Sequence, residues 1–195
     1  MNIYAVIILV ALLAEYVLTL VSDGLTLRNL QSELPEEFSD TFDEDEYAQA
    51  QDYTRTRTRF SFVSSTFGLA VLLAFWFAGG FEWLDTLVRG WGFGPIGTGL
   101  LYVGLLVVGR GALSLPFSLY STFVIEERFG FNETTPTTFV LDLLKSLALG
   151  TVIGGPLLAA LLWFLGATGP YGWVYAWIAV TAVMLLLQFF APRYL

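Results

Sequence analysis

The apolar residues of this chain gather into five blocks that are separated by polar segments. Each block has about 20 residues, which at 1.5 Å per residue is enough to cross a hydrocarbon core of about 30 Å. Charged residues hardly enter the blocks, unlike the alternating faces of a soluble domain. The pattern predicts an all-α polytopic membrane helical bundle with five transmembrane helices, at residues 3–21, 60–78, 96–119, 146–165 and 171–190.

The polar segments predict where the chain leaves the membrane. Residues 22–59, which hold an acidic run, and residues 120–145 are the two long loops. Within the second loop a new helix should begin near Pro136, because Thr135 before a proline is typical of a helix N-cap. Residues 79–93 carry aromatic residues of the kind that settle at headgroup level, so they are predicted to form an interfacial loop.

Prolines and glycines inside the apolar blocks predict local features of the helices. Pro116 and Pro156 each remove a backbone donor and should kink their helices. A cluster of small residues in the fourth block predicts close approach of a neighbouring helix. These small residues are Gly150, Gly154 and Gly155.

The basic residues predict the orientation, because cytoplasmic loops carry an excess of Lys and Arg. With five spans, the two long loops and the C-terminus share one side of the membrane. That side has eight basic residues and the other side has Arg89 alone, so we predict the N-terminus outside and the C-terminus in the cytoplasm. The membrane would be a bacterial inner membrane or the endoplasmic reticulum. The eight residues are Arg28, Arg55, Arg57, Arg59, Arg110, Arg128, Lys145 and Arg193.

The composition supports a membrane protein and excludes several kinds of chemistry. Hydrophobic residues make up 56% of the 195 residues and charged residues 13%, against about 25% charged in soluble domains. The net charge of −8 belongs to the first loop, where 10 of the 17 acidic residues lie, and no basic patch indicates nucleic-acid binding. Because the chain has no His and no Cys, we predict no metal site, no cofactor and no thiol nucleophile in it.

Two charged residues lie inside predicted spans, Glu15 in the first and Arg110 in the third. An ionisable group in a span costs about 2.5–3.5 kcal/mol on insertion scales, so it normally faces protein or water. Glu15 is either a carboxyl group hydrogen-bonded between helices or part of the wall of a water-filled cavity. Arg110 has the same two interpretations.

The segment Leu115–Asn132 combines aromatic residues, paired acids and glycine at a membrane edge, which is unusual for a simple connector. It contains the charged residues Glu126, Glu127 and Arg128. Loops of this kind often dock a partner. The alternative is an amphipathic helix that lies on the bilayer surface, and the sequence favours neither.

This segment and several shorter ones, in the same order, resemble the membrane half of the type I CAAX prenyl protease family. The resemblance covers nearly all of the chain from about residue 31 to Leu195. The shorter segments are Leu34–Phe38, Tyr47–Phe60, Gly80–Asp85, Thr98–Tyr102, Thr134–Pro136, Asp142–Lys145 and Ile153–Pro156.

The resemblance implies that the chain is part of a seven-helix fold around a water-filled chamber. Members of that family are zinc metalloendopeptidases that cut prenylated C-terminal peptides. Their H-E-x-x-H helix, a further glutamate ligand and two more membrane helices follow the fifth span, and this chain stops at Leu195 without them. We therefore expect zinc in a missing catalytic half and no catalysis by this chain alone.

The role that the resemblance implies is a chamber wall that docks a cytoplasmic catalytic metallopeptidase domain. The expected partners are that domain, the lipid bilayer, and a prenylated or membrane-associated peptide. Glu15 and Arg110 would face the chamber, and the docking residues would be Glu126, Glu127, Arg128 and Asn132. The alternative is a stand-alone membrane scaffold that binds lipid or a partner. A transporter has weaker support, because two intramembrane charges without a repeat are its whole basis.

Overall fold

The computed structural model describes residues 2–30 and 43–194, and in these ranges the chain is helical without strands. The all-α prediction is therefore confirmed for this part. Residues 31–42, where much of the predicted first loop falls, and the side chains of residues 183, 186, 187 and 190–194 lie outside the described part. The helices are α1 (Ile3–Asn29), α2 (Glu44–Phe77), α3 (Gly80–Arg89), α4 (Pro95–Tyr120), α5 (Pro136–Leu149), α6 (Gly155–Ala167) and α7 (Gly172–Tyr194).

Short irregular helices join some of these elements. Two π-helical segments follow α4 and α5, and a 3-10 turn precedes α7. The predicted start of α5 is confirmed, since Thr135 Oγ1 accepts a hydrogen bond from the N–H of Thr138 at 3.1 Å. The irregular segments are Ser121–Glu126, Gly150–Gly154 and Gly169–Tyr171.

Four helical stretches among the described residues are long and apolar enough to cross a membrane: Ile3–Asn29, Glu44–Phe77, Pro95–Glu126 and Pro136–Ala167. They contain the first four predicted spans, and the fifth lies largely on α7. The chain is thus a multi-pass membrane protein. The limits of the individual spans stay a prediction.

The first two helices extend well beyond their predicted spans. Residues 22–29 continue α1 and residues 44–59 begin α2, so the predicted first loop is helical at both ends. Asp43 starts α2, because its Oδ1 accepts from the N–H groups of Asp45 and Glu46 at 2.9 and 3.2 Å. Acidic side chains also interact favourably with the positive end of a helix dipole. The acidic residues from Glu44 onward are therefore helical, and the place of residues 22–59 on the cytoplasmic side stays a prediction.

The segment predicted as an interfacial loop contains a helix, α3. Leu84 and Val88 are one helical turn apart and only 6% and 0% exposed, whereas Trp83 is 62% exposed. At the end of the helix, Arg89 donates a hydrogen bond from Nε to Asp85 Oδ2 at 2.6 Å. This hydrogen bond raises the pKa of the Arg89 guanidinium. This helix was not predicted from the sequence, because its ten residues are fewer than the window in which helical periodicity becomes clear.

The helices form two units, each with its own packing. In the unit of Met1–Phe81 and Val108–Thr134, α2 packs against α1 and against the π-helical segment Ser121–Glu126. The hydroxyls of Tyr16 and Thr66 are 2.6 Å apart and join α1 to α2. In the unit of Glu82–Val107 and Thr135–Leu195, α6 packs against α7.

Close helix approach occurs at glycines other than the predicted ones. A Cβ on Gly99 would lie 2.6 Å from Cδ1 of Leu162, so the absence of a side chain allows α4 and α6 to meet there. No atom lies within 4 Å of a Cβ built on any of the three glycines of the fourth block. Gly150 and Gly154 instead lie in a π-helical segment, and Gly155 and Pro156 follow it directly. Pro116 precedes the other π-helical segment. Pro116 itself lies inside α4 and Pro156 in the first turn of α6, and kinks at the two prolines stay a prediction.

Candidate functional site

The segment around the predicted docking residues forms a compact turn, Glu126–Asn132, at the end of a π-helical segment. The N–H of Phe131 donates to the carbonyl of Glu126 at 2.9 Å, and that of Gly130 donates to the carbonyl of Glu127 at 3.1 Å. This pair of bonds is the Schellman arrangement, which needs a left-handed residue after the helix. Gly130 supplies it with φ +72°. The turn is therefore a defined structure and not a loose connector.

Replacing Gly130 by Ala should loosen this turn, because a left-handed backbone costs an L-residue about 1–2 kcal/mol. We expect the amide of Phe131 to exchange its hydrogen about fivefold to tenfold faster, as measured by hydrogen–deuterium exchange. Gly111→Ala is the control, since an added Cβ there meets no atom within 4 Å and φ is ordinary. Equal exchange rates in the two variants would contradict the role of Gly130.

The four predicted docking residues lie together in this turn, but they play different parts. Asn132 is half-buried, donates from Nδ2 to Glu127 Oε2 at 2.8 Å, and accepts on Oδ1 from the N–H of Thr134 at 2.8 Å. It therefore shapes the turn. Glu126 is half-buried, while Glu127 and Arg128 are exposed. The charges available to a partner are those of Glu127 and Arg128, with Glu126 at the margin.

The N-terminal part of α2 holds the turn in place. Gln49 donates from Nε2 to the carbonyl of Phe129 at 2.9 Å. The ring of Tyr53 lies edge-to-face against Phe129 and Phe131, with centroids 5.5 and 4.8 Å apart. Such ring pairs each contribute about 0.5–1.5 kcal/mol beyond the buried area. The turn is thus held in place by its contacts with α2.

Aromatic contacts continue along the same face of α2. Phe60 stacks on Tyr120 with centroids 5.0 Å apart, and Phe67 packs on Phe117 at 5.0 Å. Tyr53, Phe60 and Phe67 are spaced by seven residues, so they share one helix face. Sequence reasoning missed these residues because it placed Tyr53 in a loop. The seven-residue spacing was the signal that could have found them.

The two charged residues of the predicted spans do not meet. Glu15 and Arg110 are both exposed, and no hydrogen bond or ion pair between them is present in the described part of the chain. Glu15 lines an open groove of about 540 Å³ along α1 together with Ala11, Ala14 and Asp23. The direction in which these charges point within a complete protein stays a prediction.

The residues that the structure describes do not fit a zinc site. The sequence has no His or Cys, and the described residues include no group of three acidic side chains that could hold a metal ion. Zinc sites in proteins are built from imidazole, thiolate and carboxylate ligands. No catalytic step through zinc can be derived from these residues.

The sequence of this chain matches one family of known proteins. The protein family described as CAAX prenyl protease N-terminal, five membrane helices, matches residues 25–195. The probable CAAX prenyl protease 1 of Schizosaccharomyces pombe is 34% identical over 176 residues, which cover 84% of this chain and 37% of that protein. The CAAX prenyl protease 1 homolog of Homo sapiens is 32% identical over 165 residues, covering 79% of this chain and 34% of that protein.

A solved structure agrees with the sequence matches. The crystal structure of S. mikatae Ste24p matches 100% of this chain and 47% of its own, with a TM-score of 0.79 and 27% identity. This chain therefore has the fold of part of a larger protein. It spans roughly a third of the length of the curated relatives that it matches.

Proposed function

Because this chain belongs to the CAAX prenyl protease family, as the N-terminal membrane portion of such a protein, we propose that it walls the proteolytic chamber and docks the cytoplasmic catalytic portion. The docking site would be the Glu126–Asn132 turn. One observation carries this proposal: the turn is fixed to α2 by Gln49 and Tyr53 while it presents Glu127 and Arg128 outward. Exposed charges on a rigid support favour charge-assisted hydrogen bonds with a partner.

In this proposal the catalytic chemistry belongs to the other portion of the protease. That portion would hold the zinc, since this chain has no His or Cys and its described residues include no group that could hold a metal ion. The substrate would be a prenylated or membrane-associated peptide. The N-terminus would lie outside and the turn in the cytoplasm, in the endoplasmic reticulum or a bacterial inner membrane. Glu15 and Arg110 would face the chamber. The family match does not favour a stand-alone scaffold.

Reconstitution from two polypeptides tests the proposal. This chain and the C-terminal remainder of the Schizosaccharomyces pombe relative would be expressed separately and together in membranes. We expect zinc-dependent cleavage of a prenylated peptide, and co-purification of the two polypeptides, only when both are present. Equal activity of the C-terminal remainder alone, or failure of the two to associate, would contradict the proposal and return the stand-alone scaffold to consideration.

A further inference from the structure

Charges on α2 are arranged in layers along the helix axis. Acidic residues occupy its first turn, three arginines follow further along, and the apolar part begins at Phe60. At 1.5 Å per residue, Arg57 lies about 18 Å along the axis from Asp45. This exceeds the Debye length of about 8 Å at physiological salt, so the arginine layer is largely screened from the first-turn acids. The three arginines are Arg55, Arg57 and Arg59.

Two guanidinium groups meet the same aromatic cluster, which consists of Tyr53, Phe129 and Phe131. Arg57 donates from Nη1 to the Tyr53 hydroxyl at 3.0 Å, and its Cζ lies 5.8 Å from the centre of that ring. Arg128 comes from the turn, and its Cζ lies 5.6 Å from the centre of the Phe129 ring. A guanidinium group held by its face keeps N–H donors free at its edge, where phosphate binds best.

Three of the arginines are not neutralised by a carboxylate. Arg55 is paired with Asp52 at 2.7 Å. Arg57, Arg59 and Arg128 are exposed and make no ion pair in the described part of the chain. Glu127, the acid beside Arg128, already accepts a hydrogen bond from Asn132. Of these three cations, Arg57 and Arg128 meet at the aromatic cluster, whereas Arg59, two residues from Arg57, lies on the opposite side of α2.

We propose that Arg57 and Arg128, which meet at the same aromatic cluster, form a binding site for the headgroup of an anionic phospholipid. The phosphate groups of a bilayer lie at the boundary of its hydrocarbon core, which is the level at which α2 changes from arginine to apolar residues. The aromatic cluster orders both guanidinium groups in advance, so less side-chain entropy is lost on binding. A lipid at this site ties the Glu126–Asn132 turn to the membrane surface. The site does not depend on proteolysis.

Native mass spectrometry of the full chain, released from detergent with added lipid, tests this site. We expect phosphatidylserine to bind at least about tenfold more tightly than phosphatidylcholine. An Arg57→Gln/Arg128→Gln variant should lose this preference to within about twofold. The control is Arg89→Gln/Lys145→Gln, which removes the same total charge from residues that are each ion-paired. The control should keep most of the preference.

Other outcomes of this experiment would overturn the proposed lipid site. Equal loss of preference in both double variants would show a net-charge effect and overturn the site. Displacement of phosphatidylserine by millimolar inorganic phosphate would indicate a soluble anion as the occupant and also overturn it. If the double variant fails to fold, Arg128→Gln alone is the substitute, because Arg128 is exposed and makes no ion pair among the described residues. Its expected effect is about a threefold loss, and an unchanged preference would count against the proposal.

Discussion

Reversing the charges at the Glu126–Asn132 turn, in a Glu126→Lys/Glu127→Lys/Arg128→Glu variant, should lower zinc-dependent cleavage in the reconstituted protease about 100-fold. Charge-assisted hydrogen bonds contribute about 1.5–3 kcal/mol each, so two lost bonds remove about 3 kcal/mol of docking free energy. The effect is measured as the cleavage rate of a prenylated peptide. The catalytic portion is kept at a concentration too low to saturate this chain. Co-purification should fall in parallel.

A matched control is available in the same chain. α3 carries two acids and an arginine, and Glu82→Lys/Asp85→Lys/Arg89→Glu reverses the same charges on the side that we predict to be outside. The hydrogen bond that Arg89 donates to Asp85 raises the pKa of the Arg89 guanidinium further, and an arginine is charged at assay pH in any case. We expect the control to keep nearly full activity. Full activity of the turn variant, with unchanged helix content in both, would contradict docking at the turn.

Removing the ring of Tyr53 should have the largest effect on local structure. Tyr53→Ala deletes two edge-to-face contacts with the turn and the apolar area that they bury, a loss of about 2–3 kcal/mol for a half-buried side chain. The turn should then open more often, so the amides of residues 130–132 should exchange hydrogen about 30- to 100-fold faster. Hydrogen–deuterium exchange in lipid nanodiscs measures this change.

Tyr53→Phe separates ring packing from the hydroxyl. This variant keeps both ring contacts and loses the hydrogen bond from Arg57 to the hydroxyl oxygen. Because a single hydrogen bond contributes about 0.5–1.5 kcal/mol, we expect exchange within about tenfold of the unmodified chain. If Tyr53→Phe opened the turn as much as Tyr53→Ala, ring packing would not be what holds it. Slow exchange in both would show that Gln49 holds the turn without Tyr53.

The helical membrane architecture was predictable because a bilayer leaves the backbone few choices. Every N–H and C=O in the hydrocarbon core must be paired within the segment, so long apolar blocks become helices. The start of α5 at Pro136 was predictable for a local reason too, since Thr135 caps it. The two helical ends of the predicted first loop were not, because polar helices outside the membrane are stabilised mainly by tertiary packing. α2 beyond the membrane packs its aromatic face on the turn.

The sequence by itself determined that this chain crosses a membrane several times, resembles a known protease family and cannot bind zinc through His or Cys. It also located the charged turn at Glu126–Asn132. The tertiary structure decided what supports that turn, because Gln49 and Phe129 are 80 residues apart in the chain. Contacts at such separation depend on how whole helices pack, and local residue patterns do not encode that packing. The aromatic cluster that joins α2 to the turn, and the arginines placed beside it, therefore became visible only in three dimensions.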